Sequence, residues 1–115
     1  MSEHHDEPLL IDMRDACRQV MTYIANADEG AFLNNTLLQD AVSYRLQVVG
    51  EAAYKVSMLF KEAHPEIDWF KISGLRHRVV HDYRNIDMPT LWRITQKYVP
   101  PLREQLDAIL GRGIS

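Results

Sequence analysis

Hydrophobic positions recur at steps of three and four along almost the whole chain. Leu10, Met13, Cys17, Val20 and Ile24 place an apolar stripe on one face of a first helix. Pro8 suits its first turn, where no amide donor is needed, and Ala27-Asp28-Glu29-Gly30 ends it. Val42, Leu46, Val49, Ala53, Val56, Phe60 and Ala63 then alternate steps of four and three. They predict a long helix over 36–64, closed at His64-Pro65 because proline disfavours helical backbone in the residue before it. A kink or split within this stretch is placed near Tyr44 or Gly50.

Ile67 to Ile72 reads as a short turn carrying Trp69 and Phe70. Ser73 is the expected cap of a helix over 74–84, its hydroxyl accepting a free amide. Asp87 and Pro89 open a last helix with the stripe Leu91, Ile94, Tyr98, Leu102, Leu106 and Ile109. Pro100 and Pro101 should kink or divide it, since each removes a donor and crowds the preceding turn. No alternating strand pattern competes. The expected fold is all-α, a compact bundle of four to five helices forming one domain over 1–115, with residues 1–7 frayed.

Composition bounds the function classes. The 115 residues are 46% hydrophobic and 25% charged, an ordinary globular balance. A single cysteine, Cys17, excludes an internal disulfide framework and a four-cysteine zinc site within one chain. No apolar run reaches the length of a membrane span, and the acidic, polar start is unlike a secretory signal. The cytoplasm is therefore the expected compartment. The net charge of -3 gives no global case for a nucleic-acid partner. Its distribution changes that picture: the surplus acid lies in the first thirty residues, while 74–84 hold three arginines and two histidines against one aspartate.

This cluster, Gly74-Leu75-Arg76-His77-Arg78-Val79-Val80-His81-Asp82-Tyr83-Arg84, is where chemistry is most concentrated. On a helix Arg76, Val80 and Tyr83 share one stripe, and His77, His81 and Arg84 share its neighbour. Arg76 and His81 are five apart and point about 140° from each other. Two copies meeting across a dimer axis would bring two such pairs around a shared cleft. Arginine is permanently charged and its planar fork matches phosphate oxygens; histidine passes protons near neutrality. Together they suffice for metal-free RNA cleavage. The plainer reading is a solvated basic helix face packed on an acidic neighbour.

The motif Arg76-x4-His81-x-Tyr83 resembles the signature of the HEPN superfamily, in its HepT-like toxin branch. Val49-Gly50-Glu51-Ala52-Ala53, Trp69, Gly74-Leu75-Arg76, His81-Asp82-Tyr83, Leu91-Trp92 and Pro101-Leu102 follow that family's order, over roughly 8–110. The resemblance implies an all-helical homodimer acting as a metal-independent endoribonuclease toxin without a cofactor. It implies that Arg76 and His81 of both copies line a composite cleft. It also implies a cognate antitoxin, an MntA-like minimal nucleotidyltransferase, which transfers AMP onto the motif tyrosine, here Tyr83. An alternative is a non-catalytic helical partner that recognises substrate for a nucleotidyltransferase.

His77, Arg78, Asp82 and Arg84 are expected to line the site, the arginines through salt-sensitive phosphate attraction. His77 and His81 have metal-ligand spacing, but no glutamate follows His77 as in the zincin pattern, and no metal is expected. Gly50 inside a helix costs about 1 kcal/mol relative to alanine, which a close helix crossing or dimer contact would justify. Glu51 reads either as a buried acid paired with a motif arginine or as an exposed acid. Trp69, Phe70 and Trp92 read as core or interface rather than base-stacking platforms.

Overall fold

The computed structural model describes residues 5–81 and 87–112, with the backbone alone described over 77–81. Every regular element among them is a helix: α1 (Glu7–Ile24), α2 (Glu29–Leu33), α3 (Thr36–Lys55), α4 (Met58–Ala63), α5 (Trp69–His81), α6 (Met88–Lys97) and α7 (Val99–Arg112). Five of the seven run ten residues or longer, as the periodicity predicts, and α2 and α4 are short connectors. α3 packs on α1 with one side and on α5 with another, while α7 closes over α1 and carries α6. None of the helices among the described residues is long and apolar enough to cross a membrane.

The predicted stripes form the core. Leu10, Met13, Cys17 and Val20 of α1 are fully buried against Val42, Leu46, Val49 and Ala53 of α3 and Leu102, Leu106 and Ile109 of α7. Each fully buried aliphatic contributes about 1.5–3 kcal/mol relative to exposure. Across the rim of α1 and α7, Asp107 pairs with Arg18 at 3.0 Å and with Arg103 at 3.0 Å.

The long helix expected over 36–64 is divided, at neither Tyr44 nor Gly50. Val56 and Ser57 are extended (ψ 142° and 150°), and Ser57 opens α4 by accepting the Phe60 amide at 3.1 Å. The hydrophobic period runs unbroken through this joint, because Val56 and Phe60 remain buried on either side of it. Periodicity alone therefore reads straight across it. What fixes the joint is remote in sequence. Asp6 is 2% exposed and accepts the Ser57 amide at 2.8 Å and the Ser57 hydroxyl at 2.7 Å. The chain is thus anchored from Asp6 onward, which corrects the expectation of fraying for residues 6 and 7.

Other helix starts follow local capping chemistry. Asp28 caps α2 through the Ala31 amide and Asn35 caps α3 through the Leu38 amide, each worth about 1 kcal/mol. The predicted turn over 67–72 is replaced by the beginning of α5. Asp68, not Ser73, is its cap, accepting the Lys71 amide at 3.0 Å, and Ser73 lies inside the helix. Asp87 stands at the start of α6 as expected, its carboxylate accepting the Thr90 hydroxyl at 2.8 Å. Tyr98 divides α6 from α7, with Pro100 and Pro101 in the first turn of α7, where their missing donors cost nothing.

Candidate functional site

α5 carries the arginine- and histidine-rich cluster, and its first turn is firmly held. Trp69 is buried, donates its indole N–H to the His64 carbonyl at 2.9 Å and meets Phe60 edge-on. Trp92 is half-buried and packs on Phe32, with ring centroids 5.4 Å apart. Both tryptophans therefore belong to the packing, as expected. Phe70 does not: it is 92% exposed.

The middle of α5 crosses α3 at Gly50. A Cβ on Gly50 would stand 2.4 Å from the Arg76 amide nitrogen and 3.1 Å from its Cα. No side chain fits there, so the glycine is a packing requirement, as its helical cost suggested. One turn further along α3, Tyr54 takes the other end of the same residue: the Arg76 guanidinium lies 3.8 Å from the centre of its ring. Residues four apart share a helix face, so Gly50 and Tyr54 hold Arg76 by its backbone and by its head. The Arg76 Nε is buried and has no acceptor among the described residues. Glu51 is half-buried and forms no ion pair among the described residues.

Arg76 and His81 both lie on α5, a single helix through His81. Their five-residue separation therefore places the two positions about 140° apart around the helix axis. The backbone of His77 and Arg78 continues the same helix. Asp82, Tyr83 and Arg84 fall outside the described residues. Among the described residues no group of three or more His, Cys, Asp or Glu side chains is placed to hold a metal ion. Cys17 is packed in the core, where burial pushes its thiol up to about 12.

Beside Arg76 opens a cavity of about 820 Å³ between the first half of α5, α6 and the end of α3. Lys71, Arg76 and Arg93 bring three cations to its wall, and Tyr54, Phe70 and Tyr98 bring three rings. The Lys71 ammonium lies 4.4 Å from the centre of the Tyr98 ring. Sequence reasoning missed most of these. Tyr98 was assigned to the apolar stripe of the last helix, yet it is 49% exposed, because the stripe changes helices at that residue. Tyr54 carried a usable signal, one turn after Gly50, where a close helix crossing is expected.

Comparison with known proteins agrees with the motif. A family model described as "Ribonuclease HepT-like" matches residues 13–109, from α1 to α7 and including the whole arginine–histidine cluster. A Methanocaldococcus jannaschii protein named "Putative RNase MJ1380" is 28% identical over 109 residues, covering 95% of this chain and all of its own. A Thermococcus cleftensis protein named "Probable ribonuclease HepT" is 31% identical over 78 residues, covering 68% of this chain and 71% of its own. A Caldanaerobacter subterraneus protein named "Putative RNase TTE0752" is 25% identical over 105 residues, covering 91% and 94%. No solved structure matches with significance. On the family match over most of its length, this chain belongs to the HepT-like ribonuclease family.

Proposed function

We propose that the chain is a metal-independent endoribonuclease that works as a homodimer, with Arg76 and His81 as its catalytic residues. The observation that carries this reading is the mounting of Arg76. Its backbone is locked against Gly50 and its head is held over Tyr54. A guanidinium held this way is preorganised for an outside anion, and a phosphate supplies oxygens that match its fork. His81 stands five residues on along the same helix, about 140° further around its axis. A second copy across a two-fold axis supplies the complementary member of each pair.

The reaction needs only these groups. His81 takes the proton of a ribose 2'-OH, the 2'-oxygen bonds to the adjacent phosphorus, and the phosphorus–5'-oxygen bond breaks. The leaving 5'-oxygen takes up a proton from a protonated His81 of the dimer, so that no net proton is gained or lost, and the phosphorus remains in a 2',3'-cyclic phosphate. Arg76 stabilises the charge that grows on the phosphoryl oxygens.

In this reading the enzyme is the toxin of a toxin–antitoxin pair in the cytoplasm. Its antitoxin is an MntA-like nucleotidyltransferase that adenylylates Tyr83, two residues beyond His81. A nucleotide added there brings bulk and negative charge to the cleft and repels RNA phosphates. On this reading His77, Arg78, Asp82 and Arg84 contribute to RNA binding.

The purified chain should cut RNA in the presence of EDTA, and Arg76→Ala and His81→Ala should each abolish cutting. Cutting that survives in both variants, or that disappears in EDTA, contradicts the proposal. Expression should arrest growth of a bacterial host and co-expression of the nucleotidyltransferase should relieve it, with Tyr83→Phe resisting the relief.

A further inference from the structure

We propose that the cavity between α5 and α6 is a binding groove for single-stranded RNA, which holds the unpaired bases that flank the phosphate at Arg76. The inference rests on the ribonuclease reading and extends it to how substrate is held. Its basis is an arrangement of rings and cations from three helices, of which Arg76 alone belongs to the motif.

Tyr54 and Tyr98 each carry a cation against the ring, Arg76 at 3.8 Å and Lys71 at 4.4 Å. Both rings nevertheless stay about half exposed, at 56% and 49%. Phe70, which lines the same cavity, is 92% exposed and has no ring contact among the described residues. An apolar ring standing in water gains nothing for the folded chain. It is suited to a flat partner, and a nucleobase is such a partner.

The charge on the wall selects the same ligand. Lys71, Arg76 and Arg93 face one carboxylate, Asp68, whose oxygen accepts the Lys71 amide at the start of α5. Arg93 has a single 3.5 Å contact to the Thr90 hydroxyl and no ion pair among the described residues. Three cations and three rings on one wall suit an unpaired strand, which proteins bind by tracking the backbone phosphates and stacking successive bases. A duplex offers phosphates but keeps its bases stacked inside, so it uses only half of this surface. The cavity, about 820 Å³, falls within the range of built ligand sites, about 300–1,000 Å³.

The test uses the full chain carrying His81→Ala, so that binding is read without cutting, with a fluorescent single-stranded oligoribonucleotide. Phe70→Ala and Tyr98→Ala should each weaken binding about tenfold, in line with the loss of one stacked base. Arg93→Gln should lower the slope of log Kd against log salt by about 0.7, the loss of one phosphate contact on a single strand. Leu37→Ala, which removes an 80% exposed side chain on α3, should change neither quantity, and circular dichroism should show the same helicity in all variants. A duplex competitor should displace the single strand poorly.

Unchanged binding in Phe70→Ala and Tyr98→Ala, with a wild-type chain that cuts RNA, overturns the groove and leaves the ribonuclease reading standing. The groove is equally overturned if Phe70→Ala alters the oligomeric state without altering RNA affinity, because that face is then covered by a second copy. A wild-type chain that neither cuts nor binds RNA overturns the ribonuclease reading, and the groove with it.

Discussion

Gly50 of α3 and Arg76 of α5 approach so closely that a Cβ on the glycine would lie 2.4 Å from the arginine's amide nitrogen. The clash is with backbone, so it cannot be relieved by a side-chain rotation. Alanine raises helix propensity by about 1 kcal/mol, but overpacking costs about 1–3 kcal/mol or more. Gly50→Ala should therefore lower the melting temperature by several degrees. It should also reduce RNA cleavage further than the stability loss explains, because α5 must slide and carries Arg76 with it. Thermal unfolding and initial cleavage rates, measured well below the melting temperature, check both.

The central carbon of the Arg76 guanidinium lies 3.8 Å from the centre of the Tyr54 ring. Lysine keeps the charge but presents a rounded ammonium with no planar fork. Arg76→Lys should therefore retain RNA binding at low salt while losing most of the cleavage rate, on the order of 100-fold for a lost transition-state hydrogen bond. Anisotropy and single-turnover cleavage separate the two. Comparable cleavage by the lysine variant would mean that the charge alone matters at this position.

Asp6 binds the joint between α3 and α4 through two hydrogen bonds, 2.8 and 2.7 Å long. Removing the carboxylate leaves the Ser57 amide without its acceptor in a part-buried place. Asp6→Ala should cost about 2 kcal/mol, and deletion of residues 1–6 at least as much. Urea unfolding of both variants measures this. A deletion without effect would show that the joint is held by α4 alone.

Burial pushes the Cys17 thiol from 9.0 up to about 12. The unfolded thiol ionises near 9 while the folded one stays protonated, so above pH 9 the unfolded state binds fewer protons. Stability is then fully present below about pH 9 and declines as pH rises toward 12, with this group contributing at most about 1.4 kcal/mol per pH unit. Cys17→Ala, less stable overall, should show a shallower decline between pH 9 and 11. In the native protein at neutral pH the thiol should resist alkylation until the chain unfolds.

The helical stripes and the polar cluster were legible in the sequence because burial of α1, α3 and α7 follows the 3.6-residue period closely. Val42, Leu46, Val49 and Ala53 all sit where that period places them. The joint at Val56–Ser57 was not legible, since it depends on Asp6, fifty-one positions away. The start of α5 was misplaced because Trp69 and Phe70 suggest a compact aromatic turn, and only the Asp68 cap with the Trp69–His64 hydrogen bond shows a helix beginning there. At the site, Arg76 and Gly50 stood out separately, one as chemistry and one as a close crossing or dimer contact without a named partner. Their contact joins residues twenty-six apart, and neither residue's local pattern contains it. Tyr98 read as core because periodicity cannot tell an inner stripe from a half-exposed rim, and Phe70, read as core or interface, is excluded from the core by its 92% exposure.

The central claim is that Arg76 and His81 act together from two copies of the chain. The most direct measurement is to mix Arg76→Ala with His81→Ala after reassortment of subunits and to follow RNA cleavage in EDTA. Each variant alone should be silent. The mixture should recover about one quarter of wild-type activity, because half of the dimers are mixed and each of those holds one intact pair across the interface. A mixture as silent as its components, or cleavage by either variant alone, would contradict the account.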